Sequence, residues 1–230
     1  MKEGTMESHT RTLLPARSYA YKALHIIFGQ QPTEPILSAL FSDASLETLG
    51  ALVQEDEPSY AGELEAFGTL KEYYLSSEDG AATLKDLGIE YTRLFVGPAA
   101  LPAPPWEMVY TTGKRELFQP GVLEIRALYQ SVGCLPAEAP HVSDDHLAIE
   151  LDFMRFLCEK CQTALEQYNE DEAASLEHTQ RAFLKKHLLV WVPRFLDDVE
   201  QATQEPLYIA AGGLLRAFIQ LDAGLLQEQT

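Results

Sequence analysis

Two stretches of the sequence carry an apolar residue at alternating intervals of four and three, and this repeat is the strongest constraint on the fold. The first stripe is Leu147, Leu151, Met154, Cys158, Cys161 and Leu165; the second is Leu207, Ala211, Leu214, Phe218, Leu221 and Leu225. Side chains at this spacing line one face of an α-helix. Other segments show a similar period, and none shows the strict alternation of a half-buried strand. The sequence therefore predicts an all-α fold, a single helical bundle of about ten helices.

The helix that carries the first stripe is predicted to run from Asp144 to about Tyr168, with Ser143 as its N-cap. Ile149, Phe153 and Phe156 add a second apolar side to its first half. A helix that is apolar on more than one side is normally central to its domain. We therefore expect this helix to form the middle of the core.

The chain is strongly acidic, with 17 Lys and Arg against 35 Asp and Glu and a net charge of −18. Nucleic acid is an improbable partner for such a chain, because phosphates require a basic surface. A basic peptide is a suitable partner, since an acidic surface attracts it over long distances. Solubility alone explains the same charge equally well.

Three cysteines do not make a disulfide framework, which suggests a reducing cytoplasm. Cys158 and Cys161 form a C-x-x-C pair, but they lie deep within a helix on its apolar stripe. Core packing is therefore predicted for them rather than redox chemistry or zinc. No stretch approaches the roughly 20 consecutive apolar residues of a membrane span, so no stable membrane insertion is expected. Residues 1–17 are expected to be a disordered tail before a domain over 18–230.

A proline-rich segment, EYTRLFVGPAALPAPPWEMVY, occupies residues 90–110 and places four prolines between Pro98 and Pro105. Proline lacks the N–H and clashes with the preceding turn, so the helix arriving here must end. The result is a stiff apolar loop that leads to Trp106. Either the loop packs on the core with Trp106 as a plug, or it forms one wall of a groove for an apolar ligand or peptide.

The start of the central helix holds Asp145, His146 and Glu150. Acidic residues in a first turn complement the helix dipole, so a well-formed helix start explains them. A metal site would use these three residues as ligands, but no suitably spaced set of His or Cys residues completes such a site. We therefore predict no metal and no cofactor. A hydrolase that uses these three residues remains an alternative function, as does a helical adaptor for another partner.

Three blocks of the sequence resemble the TorD/DmsD family of redox-enzyme maturation chaperones, and the DmsD branch in particular. They are the proline-rich segment, the Asp145-His146 pair, and HLLVWVPRFLDDVEQA over residues 187–202. The family has a Glu-Pro two residues before the Asp-His pair, where Val142 and Ser143 stand here. It also has a proline at the position of Val190.

The resemblance implies a cytoplasmic chaperone, not an enzyme, that binds the twin-arginine leader of a molybdopterin oxidoreductase and assists its maturation before export. The residues it assigns to the leader-binding groove are Tyr91, Leu94, Pro105, Trp106, Asp145 and His146, with Tyr91 replacing an indole of the best-matching relatives. A monomer is expected, with a helix-swapped dimer as the alternative. The identity of the client, any bound nucleotide or molybdenum cofactor, and the effect of the missing Glu-Pro stay open.

Overall fold

The computed structural model describes residues 10–54, 57–75, 80–114, 119–135 and 142–227. These residues form eleven α-helices and no strand, which confirms the all-α prediction. The helices are α1 (Leu14–Gly29), α2 (Glu34–Leu40), α3 (Asp43–Gly50), α4 (Pro58–Leu75), α5 (Gly80–Tyr91), α6 (Glu107–Thr112), α7 (Pro120–Ser131), α8 (Leu147–Glu166), α9 (Glu170–Phe183), α10 (Leu189–Ala202) and α11 (Pro206–Gln227). Two π-helical turns, Thr92–Val96 and Leu184–Leu188, follow α5 and α9.

Helix α8 carries the first apolar stripe and packs against α1 and α9. Its stripe is fully buried from Leu147 to Cys161. The approach of α1 is close, because a Cβ added at Gly29 would lie 2.6 Å from the Cβ of Ala148. Only a residue without a side chain fits at that distance. The helix is thus a central core element, as predicted, but it begins three residues later than Asp144.

Helix α11 carries the second stripe and packs against α4 and α10. Its glycines allow close contact: a Cβ at Gly213 would overlap the carboxyl group of Glu63 on α4. Between Pro206 and Leu226 this helix is long and apolar enough to cross a membrane by length and composition alone. However, 67% of its most apolar window is buried inside the protein, so a core helix accounts for the same apolar pattern.

The helical structure begins earlier in the chain than predicted. Residues 10–12 and 14–17 are helical, and Arg17 is fully buried in an ion pair with Asp222 on α11. The hydroxyl of Thr10 donates to the carbonyl oxygen of Leu225 at 3.1 Å. The prediction of a disordered tail over 1–17 is therefore wrong for residues 10–17, because contacts with the far end of the chain hold them. The rest of that predicted tail lies outside the described residues.

The third block that resembles the family contains a proline, Pro193, inside helix α10. Helix α10 continues through Pro193 without a break, and the irregularity lies upstream at Leu184–Leu188. Proline has no N–H to offer the carbonyl group four residues before it, here that of Leu189. The wide turn ends at the residue before Leu189, so the departure from α-helical geometry precedes the proline.

Candidate functional site

The proline-rich loop and the start of α8 meet in a short backbone junction. The amide of Leu147 donates to the carbonyl oxygen of Pro105, and the amide of Glu107 donates to that of Asp145, both at 2.9 Å. These bonds form an isolated antiparallel bridge between Trp106 and His146. The rings of Trp106 and His146 meet edge to face, with centroids 5.9 Å apart. Two blocks some forty positions apart in sequence are thus held side by side.

Asp145 supports this junction from within. It is 2% exposed, and one of its carboxylate oxygens accepts from the amide of Met108 at 3.1 Å. Its other carboxylate oxygen accepts from the hydroxyl of Ser143. Burial raises the pKa of Asp145, and the bonds from Ser143 and Met108 act in the opposite direction. The carboxylate therefore caps the first turn of α6 and is already occupied, instead of facing open solvent.

His146, and not Ser143, is the N-cap of α8. Its Nδ1 accepts from the amide of Ala148 at 3.1 Å, so a neutral imidazole carries its proton on Nε2. Burial, followed by the nearby His25, lowers the pKa of His146 to about 4. The ring is accordingly neutral at physiological pH. It remains partly exposed, as does Trp106, so these two side chains form the accessible edge of the junction.

A buried polar cluster lies beneath this edge. Glu107 is 4% exposed, and its Oε2 lies 2.8 Å from Nδ1 of His187 in the second π-helical turn. Glu150 of α8 is fully buried, and its Oε2 accepts from Nε1 of Trp191 at 2.9 Å. Sequence reasoning did not identify Glu107 or His187, although each lies within a block that resembles the family. The cluster connects all three blocks at one point.

Tyr91 and Leu94 occupy a different environment. Leu94 is fully buried and Tyr91 is 8% exposed. The ring of Tyr91 packs edge to face on Phe95, with centroids 5.6 Å apart, and Phe95 continues into the aromatic core through Phe195. Of the six residues predicted for the groove, four therefore form the junction, and these two lie in the core beside it.

A cavity of about 540 Å³ opens between α5, the first π-helical turn and the proline-rich loop. Its walls are mostly apolar, with a few polar groups at the rim, and include Gly88, Ile89, Thr92, Gly97, Pro98 and Pro102. Gly97 has a φ of +97°, which lets the chain turn sharply out of the π-helical turn into the loop. The loop thus has a groove on one side and the Trp106 junction at its end.

The arrangement does not resemble an active site. Asp145, His146 and Glu150 are each engaged with a different partner, so they do not act as one catalytic set. Within the described part of the chain, no group of three or more His, Cys, Asp and Glu side chains is placed to hold a metal ion. Cys158 and Cys161 are free and buried, and burial raises the pKa of each thiol to about 12.

The comparison with known proteins agrees with the family resemblance of the three sequence blocks. Residues 57–197 match the family described as nitrate reductase delta subunit. The chaperone protein TorD of Vibrio cholerae (strain O395) is 28% identical over 97% of this chain and 97% of its own length. The Tat proofreading chaperone DmsD of Salmonella typhi is also 28% identical, over 80% of this chain and 84% of its own.

Two further matches extend the comparison. TorD of Photobacterium profundum is 28% identical over 76% of this chain and 87% of its own. A solved structure from Archaeoglobus fulgidus, assigned to the redox enzyme maturation proteins, is 20% identical with a TM-score of 0.49, covering 89% of this chain and 91% of that one. The curated relatives are chaperones and not enzymes. The chain therefore belongs to the nitrate reductase delta subunit family, which is the family of the TorD and DmsD maturation chaperones.

Proposed function

We propose that this protein binds the twin-arginine leader of a molybdopterin oxidoreductase catalytic subunit in the cytoplasm, and holds that precursor while it matures. The convergence of the three family blocks at the Trp106–His146 junction carries the proposal. A relative named as a Tat proofreading chaperone supports the kind of partner. At this junction the loop lies against the start of α8 and is bonded to the turn before α10 through Glu107 and His187, which lets the three act on a single ligand.

The proposed site has an accessible edge and a supporting frame. Trp106 and His146 form the edge, where the indole offers an apolar face that also stacks on guanidinium groups. Pro105 and Asp145 form the frame, because the backbone carbonyl oxygen of each accepts a hydrogen bond from the other segment of the junction. Tyr91 and Leu94 lie in the core. We assign the cavity lined by Gly88, Thr92 and Pro98 to the apolar part of the leader.

A partly exposed carboxylate on α10 is suited to an arginine of the leader. Asp198 on α10 accepts from the hydroxyl of Tyr110 at 3.0 Å, which fixes the orientation of its carboxylate. Tyr110 lies four residues after Trp106, and its ring stacks on Trp191 at a centroid distance of 5.6 Å. A carboxylate held beside an aromatic ring matches the planar guanidinium fork. The net charge of −18 adds long-range attraction for a basic peptide.

Calorimetric titration of paired Arg-Arg and Lys-Lys leader peptides tests the proposal. The Arg-Arg peptide should bind more tightly, and its affinity should fall as salt is added, because part of the attraction is screened. Trp106→Ala should weaken binding about tenfold without lowering the melting temperature in proportion. The matched control is Tyr73→Ala on α4, an aromatic residue that is 51% exposed and distant in sequence from all three blocks.

Two outcomes would overturn the assignment. Equal binding by wild type and Trp106→Ala would remove Trp106 from the site. Weakened binding that follows the loss of melting temperature would mean that Trp106 is a plug of the core. Light scattering during the same titrations should show a monomer; a dimer that persists on dilution would indicate exchanged helices.

A further inference from the structure

Two acidic side chains are buried together under the Trp106–His146 junction. Glu150 is fully buried, and Glu107 is 4% exposed. Trp191 donates to one oxygen of Glu150, Oε2, and no donor reaches the other, Oε1, among the described residues. Glu107 is held 2.8 Å from His187, and Glu150 is bonded to Trp191, four positions further along the same helical segment, so the two carboxyl groups lie close together. Two carboxylates cannot donate to one another, so a proton on one of them is needed for a hydrogen bond between them.

The surroundings provide no cation for Glu150. The groups close to the pair are Asp145 at the start of α8, Tyr129 in the last turn of α7, Trp191 on α10 and His187 in the second π-helical turn. His187 is bonded to Glu107 and not to Glu150. Within the described ranges, no Lys or Arg forms an ion pair with either carboxyl group. An ionised Glu150 would therefore be a buried charge without a partner, which is very unfavourable.

We propose that Glu107 and Glu150 share one proton, and that this shared proton holds the proline-rich loop on α8 and so positions Trp106 and His146. The positioning of Trp106 and His146 rests on the proposed leader-binding function, whereas the shared proton does not. Oε1 of Glu150 donates to Glu107, which in turn accepts from His187. Like charges at close range favour such sharing, because only one of two adjacent carboxyl groups can ionise at moderate cost.

The pair is directly linked to the edge of the site. Glu107 follows Trp106 in the chain, and the amide of Glu150 donates to the carbonyl oxygen of His146 at 3.0 Å. A repulsive pair would push the loop and the first turn of α8 apart. Glu107 and Glu150 are therefore positioning residues, because they act on the leader through the two side chains above them.

The shared proton gives stability a defined pH dependence. Burial, reinforced by Glu107, raises the pKa of Glu150 well above its ordinary value of 4.5. The folded chain keeps a proton that the unfolded chain releases. The stabilisation is thus complete below pH 4.5 and is lost as the pH rises towards the pKa of the folded state. Over that range one proton changes the unfolding constant about tenfold per pH unit.

Denaturant unfolding between pH 5 and 8, without any leader, tests the shared proton. Glu150→Gln keeps the shape of the side chain, an acceptor for Trp191 and a donor for Glu107. It should flatten the pH dependence by about one proton relative to wild type. The matched control is Glu159→Gln on the same helix, where the side chain is 52% exposed. The control should keep the wild-type slope.

If the unfolding free energy of Glu150→Gln depends on pH as steeply as that of wild type and of Glu159→Gln, the proposal of a shared proton is wrong. Leader affinity tests the positioning. Glu150→Gln should bind the Arg-Arg peptide as wild type does, and Glu150→Leu, which cannot donate to Glu107, should bind about tenfold more weakly at an equal folded fraction. Equal affinity in these two variants would overturn the positioning role. If wild type binds no leader at all, the proposed function fails. The pH dependence of unfolding still tests whether Glu107 and Glu150 share a proton.

Discussion

The buried ion pair between Arg17 and Asp222 offers the sharpest test of how this fold is held together. Both side chains are 0% exposed, and Asp222 accepts from Nε and Nη2 of Arg17, the second at 3.2 Å. Tyr21 donates to the same carboxylate at 2.6 Å, and Arg17 also donates to Gln180 at 2.7 Å. Burial alone would lower the pKa of Arg17, but Asp222 more than reverses this effect. The guanidinium group of Arg17 therefore stays charged in the core.

Asp222→Ala should be strongly destabilising, because it leaves the guanidinium group of Arg17 buried without its counter-charge. Breaking a buried pair from one side costs about 3–5 kcal/mol. A domain has about 5–15 kcal/mol of total stability, so this loss is a large share. For a chain of this length, about 2–4 °C of melting temperature per kcal/mol gives a fall of about 6–20 °C.

Urea unfolding at pH 7 measures this loss, and two comparisons make it specific. Asp152→Ala, which breaks a pair with Arg155 that is about one-third exposed, should cost only about 0–1 kcal/mol. The double substitution Arg17→Leu with Asp222→Leu should be less destabilised than Asp222→Ala, since no unpaired charge remains. An Asp222→Ala loss no larger than that of Asp152→Ala would refute the reasoning. So would a double variant that loses as much stability as Asp222→Ala, or more.

Two further predictions concern the central helix. The pKa of His146 is lowered to about 4 from 6.5, so the stability it contributes is complete above pH 6.5 and is lost as the pH falls towards 4. His146→Asn keeps an N-cap acceptor that does not titrate. Its unfolding free energy should therefore fall less than that of wild type between pH 6.5 and 4.5. If the two unfolding free energies fall in parallel with pH, the lowered pKa of His146 does not contribute to stability. Cys158 and Cys161, with thiol pKa values of about 12, should react with a thiol reagent only on the unfolding timescale. Rapid native labelling of both would show that the stripe is not core.

The family resemblance predicted which residues meet at the candidate site, but the structure gives some of them different roles. The sequence placed Pro105 and Trp106 in one groove with Asp145 and His146, and the junction does bring these four together. The resemblance assigned Asp145 to the groove, but a sequence does not show what else a carboxylate will bond. The amide of Met108 already occupies it. Whether the groove binds a leader stays a prediction.

The sequence by itself determined that the two striped segments are helical, because the period of an apolar stripe depends only on neighbours three and four positions away. It also determined that Cys158 and Cys161 belong to the core, since both fall on such a stripe. Only the tertiary structure decided that Arg17 is an interior residue, because its partner Asp222 lies 205 positions away. The same holds for Glu107 and Glu150, which resemble ordinary surface acids in the sequence. They became a buried pair when the proline-rich loop folded onto α8 and removed water from both.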